Sequence, residues 1–279
     1  MMVANITEPI IDAWANPPRK PGQASPLTAR LAQLSGTANI REKGYSLEQM
    51  VSDTDEAGIQ TAMLSAWYRP GQKVNENDEV AEIIRQVPGR FYGVAAVNLE
   101  KPVEAVHELE RAVKELGFKA LRVVPWLWNR PPNDKFYFPL YVKCIDLNIP
   151  FCTQVGHTGP LMPSETGRPI PYLDEVALTF PELHIVGGHI GYPWTDEMIS
   201  LAWKHENVFI DTSAYLPRYY PSQLIHYLNT YGKKKVLFGT NSPQLPFGRC
   251  AEQARALVLR EVPRANFLYN NARRVFNID

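Results

Sequence analysis

The feature that most constrains the fold is an alternation: eight short apolar runs, each followed by a longer amphipathic stretch. The runs are "PIIDAWA" (9–15), "QTAMLSA" (60–66), "FYGVAAV" (91–97), "KALRVVP" (119–125), "IPFCTQV" (149–155), "LHIVGGH" (183–189), "NVFIDTS" (207–213) and "KVLFGTN" (235–241). Near-continuous apolar runs of this length read as strands buried on both faces. The stretches between them (46–58, 75–87, 101–117, 138–148, 170–180, 194–205, 222–232 and 249–262) carry helical spacing. In 101–117, Val103, Val106, Leu109, Val113 and Leu116 recur every three or four residues and predict one buried face. Eight strand–helix units in strict order predict an α/β protein, a single (β/α)8 TIM barrel over residues 1–279. A doubly wound open sheet would carry a glycine-rich phosphate turn after its first strand, whereas this first strand runs into "NPPRKPG". "PPRKPGQASP" (17–26) predicts a long loop over the barrel mouth.

Barrel chemistry gathers where loops leave the carboxyl ends of the strands. The candidates are therefore Asp12, Trp14 and Asn16, then Trp67, Asn98, Arg122, Gln154, His157, His189, Asp211 and Asn241. These positions are polar or aromatic where the strand bodies are aliphatic. Strand alternation turns Leu121 and Val123 toward the helices and Arg122 inward. An inward guanidinium needs a partner: a substrate carboxylate gripped by two bonds, or an internal salt bridge with Asp211 or Asp12. Trp14, Trp67, Trp126 and Trp128, with Tyr215, Tyr219 and Tyr220, predict an aromatic wall for a planar substrate or, alternatively, packing beneath loops. The partner expected at such a mouth is a small molecule.

Charge narrows the partners further. Basic and acidic residues number 29 each, and no basic cluster exceeds Lys233–Lys235, which argues against nucleic acid and anionic membranes. Three scattered cysteines without a CxxC pair, no apolar stretch of spanning length and no secretion-signal pattern predict a cytoplasmic protein.

The phrases "GFKALRVVP", "TQVGHTGP", "FPELHIVGGHIGYPW", "NVFIDTSAY", "KVLFGTNSP" and the tail "ANFLYNNARRVFNI" resemble the amidohydrolase-related family, along nearly the whole chain. That group includes aminocarboxymuconate-semialdehyde decarboxylase, resorcylate-type decarboxylases and pyrone-dicarboxylate lactonase. The resemblance implies metal ligands at an HxH pair after the first strand, a His after the fifth, a His after the sixth and an Asp after the eighth. Here those places read Trp14 and Asn16, Gln154, His189 and Asn241. Tryptophan offers no lone pair, and neutral amide oxygens bind zinc-class ions poorly. No cofactor is therefore expected, a divalent metal held weakly by His157 and His189 being the alternative.

The resemblance implies a hydrolase or carbon–carbon lyase, opening a lactone or decarboxylating a cyclic or aromatic acid. His189 or Asp211 would be the base and Asn241 a catalytic amide. Arg122, Gln154, His157, Trp14, Asn16 and Trp126 would bind substrate. The alternative is a catalytically degenerate subunit that pairs with an active metal-binding paralogue in a hetero-oligomer. Helices 194–205 and 222–232 would then serve as packing faces, as in a homo-oligomer.

Overall fold

The computed structural model describes residues 8–22 and 26–278, which form ten strands. These are β1 (Ile10–Ala15), β2 (Ile59–Ser65), β3 (Trp67–Arg69), β4 (Gln72–Asn75), β5 (Phe91–Ala95), β6 (Ala120–Arg122), β7 (Phe151–Gln154), β8 (Ile185–Gly188), β9 (Val208–Asp211) and β10 (Val236–Leu237). Eight of them make one parallel sheet in the order β1-β2-β5-β6-β7-β8-β9-β10, and each corresponds to one of the apolar runs. The ends of the sheet meet. Ala13 N donates to Phe238 O (2.8 Å), Asn241 N to Trp14 O (2.7 Å) and Asn16 N to Ser242 O (2.8 Å), which closes the (β/α)8 barrel.

Asp12 braces this seam. Its Oδ1 accepts from Trp14 N (3.0 Å) and Thr240 N (2.9 Å), and its Oδ2 accepts from Thr240 Oγ1. Burial pushes the Asp12 carboxyl up to about 7, against these hydrogen bonds, which favour the ionised form.

Side-chain alternation along each strand splits the apolar residues into two concentric cores. The outer one lies between strands and helices and includes Ile10, Leu121, Val123 and Ile210. The inner one comprises Ile11, Ala13, Met63, Val94, Ala120, Cys152, Val186, Phe209 and Leu237. Ala272, Val275 and Phe276, from the last helix (Asn271–Val275) and its edge, close the inner core below. Asn271 Nδ2 ties that helix to Val236 O at the start of β10.

Two details differ from the sequence reading. In helix Pro102–Lys114 the buried face is Ala105, Leu109 and Ala112, while Val103 is 71% exposed. Small residues let the helix lie close on the sheet, and Val106, Val113 and Leu116 pack partly buried at the margins of that face. The predicted loop 17–26 includes residues 23–25, which lie outside the described residues. The mouth is covered mainly by elements the apolar runs did not reveal: helices Ala29–Ser35 and Ala38–Lys43, and the β3–β4 hairpin. No helix among the described residues is long and apolar enough to cross a membrane.

Candidate functional site

A cavity of about 580 Å³ opens at the carboxyl ends of the strands, where Asn16, Gln154, His189 and Asn241 form its floor. Trp67, Tyr68, Trp126 and Tyr215 wall it, and Arg69, Val74, Leu31 and Ile40 reach its outer part. Of the sequence candidates, His189, Asn241, Gln154, His157, Asn16 and Trp126 line the cavity. Trp14, Arg122 and Asp211 are fully buried and lie outside that lining.

Hydrogen bonds join the floor amides to their neighbours. Trp67 Nε1 donates to Asn16 Oδ1 (2.8 Å), and Asn16 Nδ2 donates to Asn241 Oδ1 (3.0 Å) and Ser242 O (2.9 Å). Asn241 Nδ2 donates in turn to Gln244 Oε1 (3.0 Å). Across the floor, Trp126 Nε1 donates to Gln154 Oε1 (2.8 Å), and Gln154 Nε2 donates to His157 O (3.3 Å). The His157 ring is exposed and meets Tyr192 edge-on.

His189 is half-buried and heads a relay. Its Nδ1 lies 2.7 Å from Ser213 Oγ, Ser213 Oγ donates to Asp211 Oδ2 (3.1 Å), and Ser213 N donates to Asp211 Oδ1 (2.8 Å). An ionised Asp211 can only accept, so the serine proton points to it and Ser213 Oγ must accept from His189 Nδ1–H. That fixes the tautomer and leaves the lone pair on Nε2 of His189, a residue that lines the cavity. Burial, with the positive fields of Arg122 and His157, lowers His189 to about 3, so the ring is neutral at physiological pH. Burial raises Asp211 to about 6, opposed by the Ser213 hydrogen bonds and Arg122.

Beneath the floor lies Arg122. Neither expected partner claims it: its guanidinium carbon stacks 3.4 Å from the Trp14 ring centroid, Nη2 reaches Ala13 O (3.3 Å), and Nε and Nη1 have no hydrogen-bond partner. Asp12 and Asp211 act on it only through their fields. Trp14 covers Arg122 from the cavity side and meets the His189 ring at a 47° tilt, with ring centroids 4.6 Å apart. Room for the indole comes from Gly188, where a Cβ would fall 2.6 Å from Trp14 Cζ3. Gly188→Ala should therefore cost about 1–3 kcal/mol by overpacking. Denaturant unfolding checks this, and Trp14→Phe in the same chain should recover part of the loss.

His189, Ala214 and Asn241 line the cavity with left-handed backbone (φ 71°, 66° and 66°), and the β-branched Ile190 follows at 52°. Such conformations persist where the surrounding structure enforces them and concentrate at functional sites.

The family profile described as Amidohydrolase matches residues 11–278. The chain belongs to the amidohydrolase family. Among its relatives is gamma-resorcylate decarboxylase of Polaromonas sp. strain JS666, 26% identical over 283 residues, covering 81% of this chain and 85% of the relative. Solved structures of the same fold include an uncharacterised TIM-barrel protein from Bordetella bronchiseptica (TM-score 0.84, 23% identity, 96% and 98% of the two chains covered). A second is the dihydroxybenzoic acid decarboxylase of Polaromonas sp. JS666, solved with bound manganese and 2-nitroresorcinol (TM-score 0.69, 21% identity, 97% and 97% covered).

The residues of this amidohydrolase do not fit such a metal. Each carbonyl oxygen standing where the family resemblance places a ligand already faces an N–H: Asn16 Oδ1 that of Trp67, Asn241 Oδ1 that of Asn16, Gln154 Oε1 that of Trp126. Trp14 presents a ring face to Arg122, a cation in its own right. Among the described residues no group of three or more His, Cys, Asp or Glu side chains could hold an ion.

Sequence reasoning did not single out Ser213, Gln244 or Arg69. The signal for Ser213 was the spacing "DTS", which lets a carboxylate receive the backbone N–H and hydroxyl of the residue two ahead. For the hairpin bearing Arg69, the "PG" of "YRPGQK" marked the turn.

Proposed function

We propose that this amidohydrolase adds water, without a metal, to a small planar substrate such as a lactone or an unsaturated acid. One observation carries the reading: the Asp211–Ser213–His189 relay leaves a basic lone pair on His189, in a cavity lining that also holds the amides of Asn16, Gln154 and Asn241. His189 takes a proton from the attacking water, and the charge of Asp211, passed through Ser213, stabilises the imidazolium that forms. The imidazolium returns the proton to the ring oxygen expelled when the lactone C–O bond breaks. Gln154 and Asn241 each keep a second amide N–H, placed to receive the developing oxyanion. Trp67, Trp126 and Tyr215 supply apolar walls for a flat ring. The left-handed backbone kept at three lining residues favours a working site over a barrel retained only as scaffold.

Decarboxylation is the second reading, favoured by the kinship with gamma-resorcylate decarboxylase. It requires a proton donor for the carbon that loses carboxylate, and His189 is held in its neutral form. Incubation with lactones and with dihydroxybenzoates in ¹⁸O-labelled water, followed by mass spectrometry, separates the two. Label in the product, unchanged by a chelator, is the expected result. Carbon dioxide release without label, or activity that returns only with added manganese, would overturn the proposal. Because the relay needs ionised Asp211, kcat/KM should rise with pH through about 6 and stay level above it. A profile flat from pH 4 to pH 8 would contradict the relay.

A further inference from the structure

The cavity extends well beyond its polar floor. Leu31 and Ala32 from one lid helix, Ile40 from the next, Val74 from the hairpin, and Leu127 and Pro160 enclose an apolar outer chamber. Its roof is seated closely, since a Cβ on Gly159 would lie 2.5 Å from Leu31 Cδ2. A volume of about 580 Å³ belongs to the range that buries a drug-sized ligand, more than a single-ring acid fills.

Charge in the lining is one-sided. Arg19 and Arg69 contribute to it, and no aspartate or glutamate does. Arg69 is half-buried, and its Nε and Nη2 both converge on Gln72 Oε1, a neutral acceptor. No acidic partner meets it among the described residues. Its position along the hairpin sets a length. Trp67 and Arg69, two apart in β3, both line the cavity, and Trp67 is anchored to the floor by its bond to Asn16. At roughly 3.3 Å per residue, the two residues stand about 7 Å apart along the strand.

We infer that the substrate is an elongated acid whose carboxylate rests on Arg69, whose apolar body fills the outer chamber and whose reacting group reaches the floor at His189. The inference rests on the proposed water-adding reading for what happens at the floor, while the recognition it describes is a matter of binding alone. Gln72 Oε1 releases the arginine fork, and the carboxylate takes both N–H groups in a bidentate pair. On this inference benzoate is too short to engage Arg69 and the floor together, whereas a two-ring acid engages both.

Quenching of Trp67 and Trp126 fluorescence measures binding of three probes: biphenyl-4-carboxylate, its neutral carboxamide and benzoate. The biphenyl acid should bind at least about tenfold tighter than either of the others. Arg69→Gln should reduce it to the affinity of the carboxamide, and Ala32→Phe should weaken both biphenyl probes while sparing benzoate. Val74→Trp, at a position 41% exposed, gives a second block of the chamber should Ala32→Phe lower the melting temperature. Equal binding of acid and carboxamide overturns the inference. So does discrimination that survives Arg69→Gln, or the absence of biphenyl binding at millimolar concentration. His189→Asn should leave all three affinities in the same order. Turnover that fails while this order holds sinks the water-adding reading and leaves the elongated-acid inference standing.

Discussion

His189→Asn should lower kcat/KM by about a hundred- to ten-thousand-fold, the usual contribution of a positioned general base. Asparagine suits the test because it tolerates left-handed backbone, here φ 71°, better than other replacements, so the loop should keep its course. Its carboxamide can still meet Ser213 but presents no basic lone pair toward the cavity. The melting temperature should move little, which separates lost chemistry from lost fold. Ser213→Ala should give a smaller fall, confined mainly to kcat, and should remove the pH dependence near 6, because the hydroxyl that couples Asp211 to the ring is gone. Full activity in His189→Asn would remove the relay from the mechanism.

The largest stability effect is expected at Asp12. Asp12→Ala strips the acceptor from Trp14 N, Thr240 N and Thr240 Oγ1 at once, all buried at the barrel seam. It also removes a negative field acting on Arg122, whose Nε and Nη1 already lack partners. Losing these together should cost about 3–5 kcal/mol, read as a drop in denaturation midpoint. Asp12→Asn is the informative control. One carbonyl oxygen can still serve both backbone donors, and the Thr240 hydroxyl can turn to accept from the new amide, so a smaller loss is expected.

The pH dependence has a definite sign. The folded pKa of Asp12 is raised to about 7, so its stabilising contribution is complete below its unfolded value and is lost as pH rises through 7. Asp211 behaves alike through about 6. His189, depressed to about 3, contributes above its unfolded value near 6.5 and loses that contribution as pH falls. Asp12→Asn should therefore flatten the decline in stability between about pH 4 and pH 7.

Much of this was legible in the chain. The apolar runs located all eight barrel strands because parallel strands buried on both faces leave a strong, simple pattern. Asn16, Gln154 and Asn241 could be recognised as poor metal ligands from their chemistry, and the structure adds the donors that occupy their oxygens. What alternation cannot convey is height within the barrel. Trp14 and Asn16 share an inward register, yet only Asn16 reaches the cavity while Trp14 lies below it, stacked on Arg122. Strands tilt and stagger, so the last residue of one strand stands level with the middle of another. Arg122 and Asp211, both at strand ends, fall beneath the floor for this reason. The lid was missed on different grounds. Its helices carry no buried residues or only short patterns, and they are placed by contacts such as Leu31 on Gly159 that no local window contains.

The seam joins Asp12, Trp14 and Asn16 to partners at 238–242, so the amide pair Asn16–Asn241 spans 225 residues of sequence. During synthesis the first half of this contact leaves the ribosome early and waits for nearly everything else. A nascent or truncated product lacking the final strand and the loop after it would leave Asn16 without Asn241 and Ser242, however well its earlier units had folded. The floor of the pocket is therefore completed only by residues made late in synthesis.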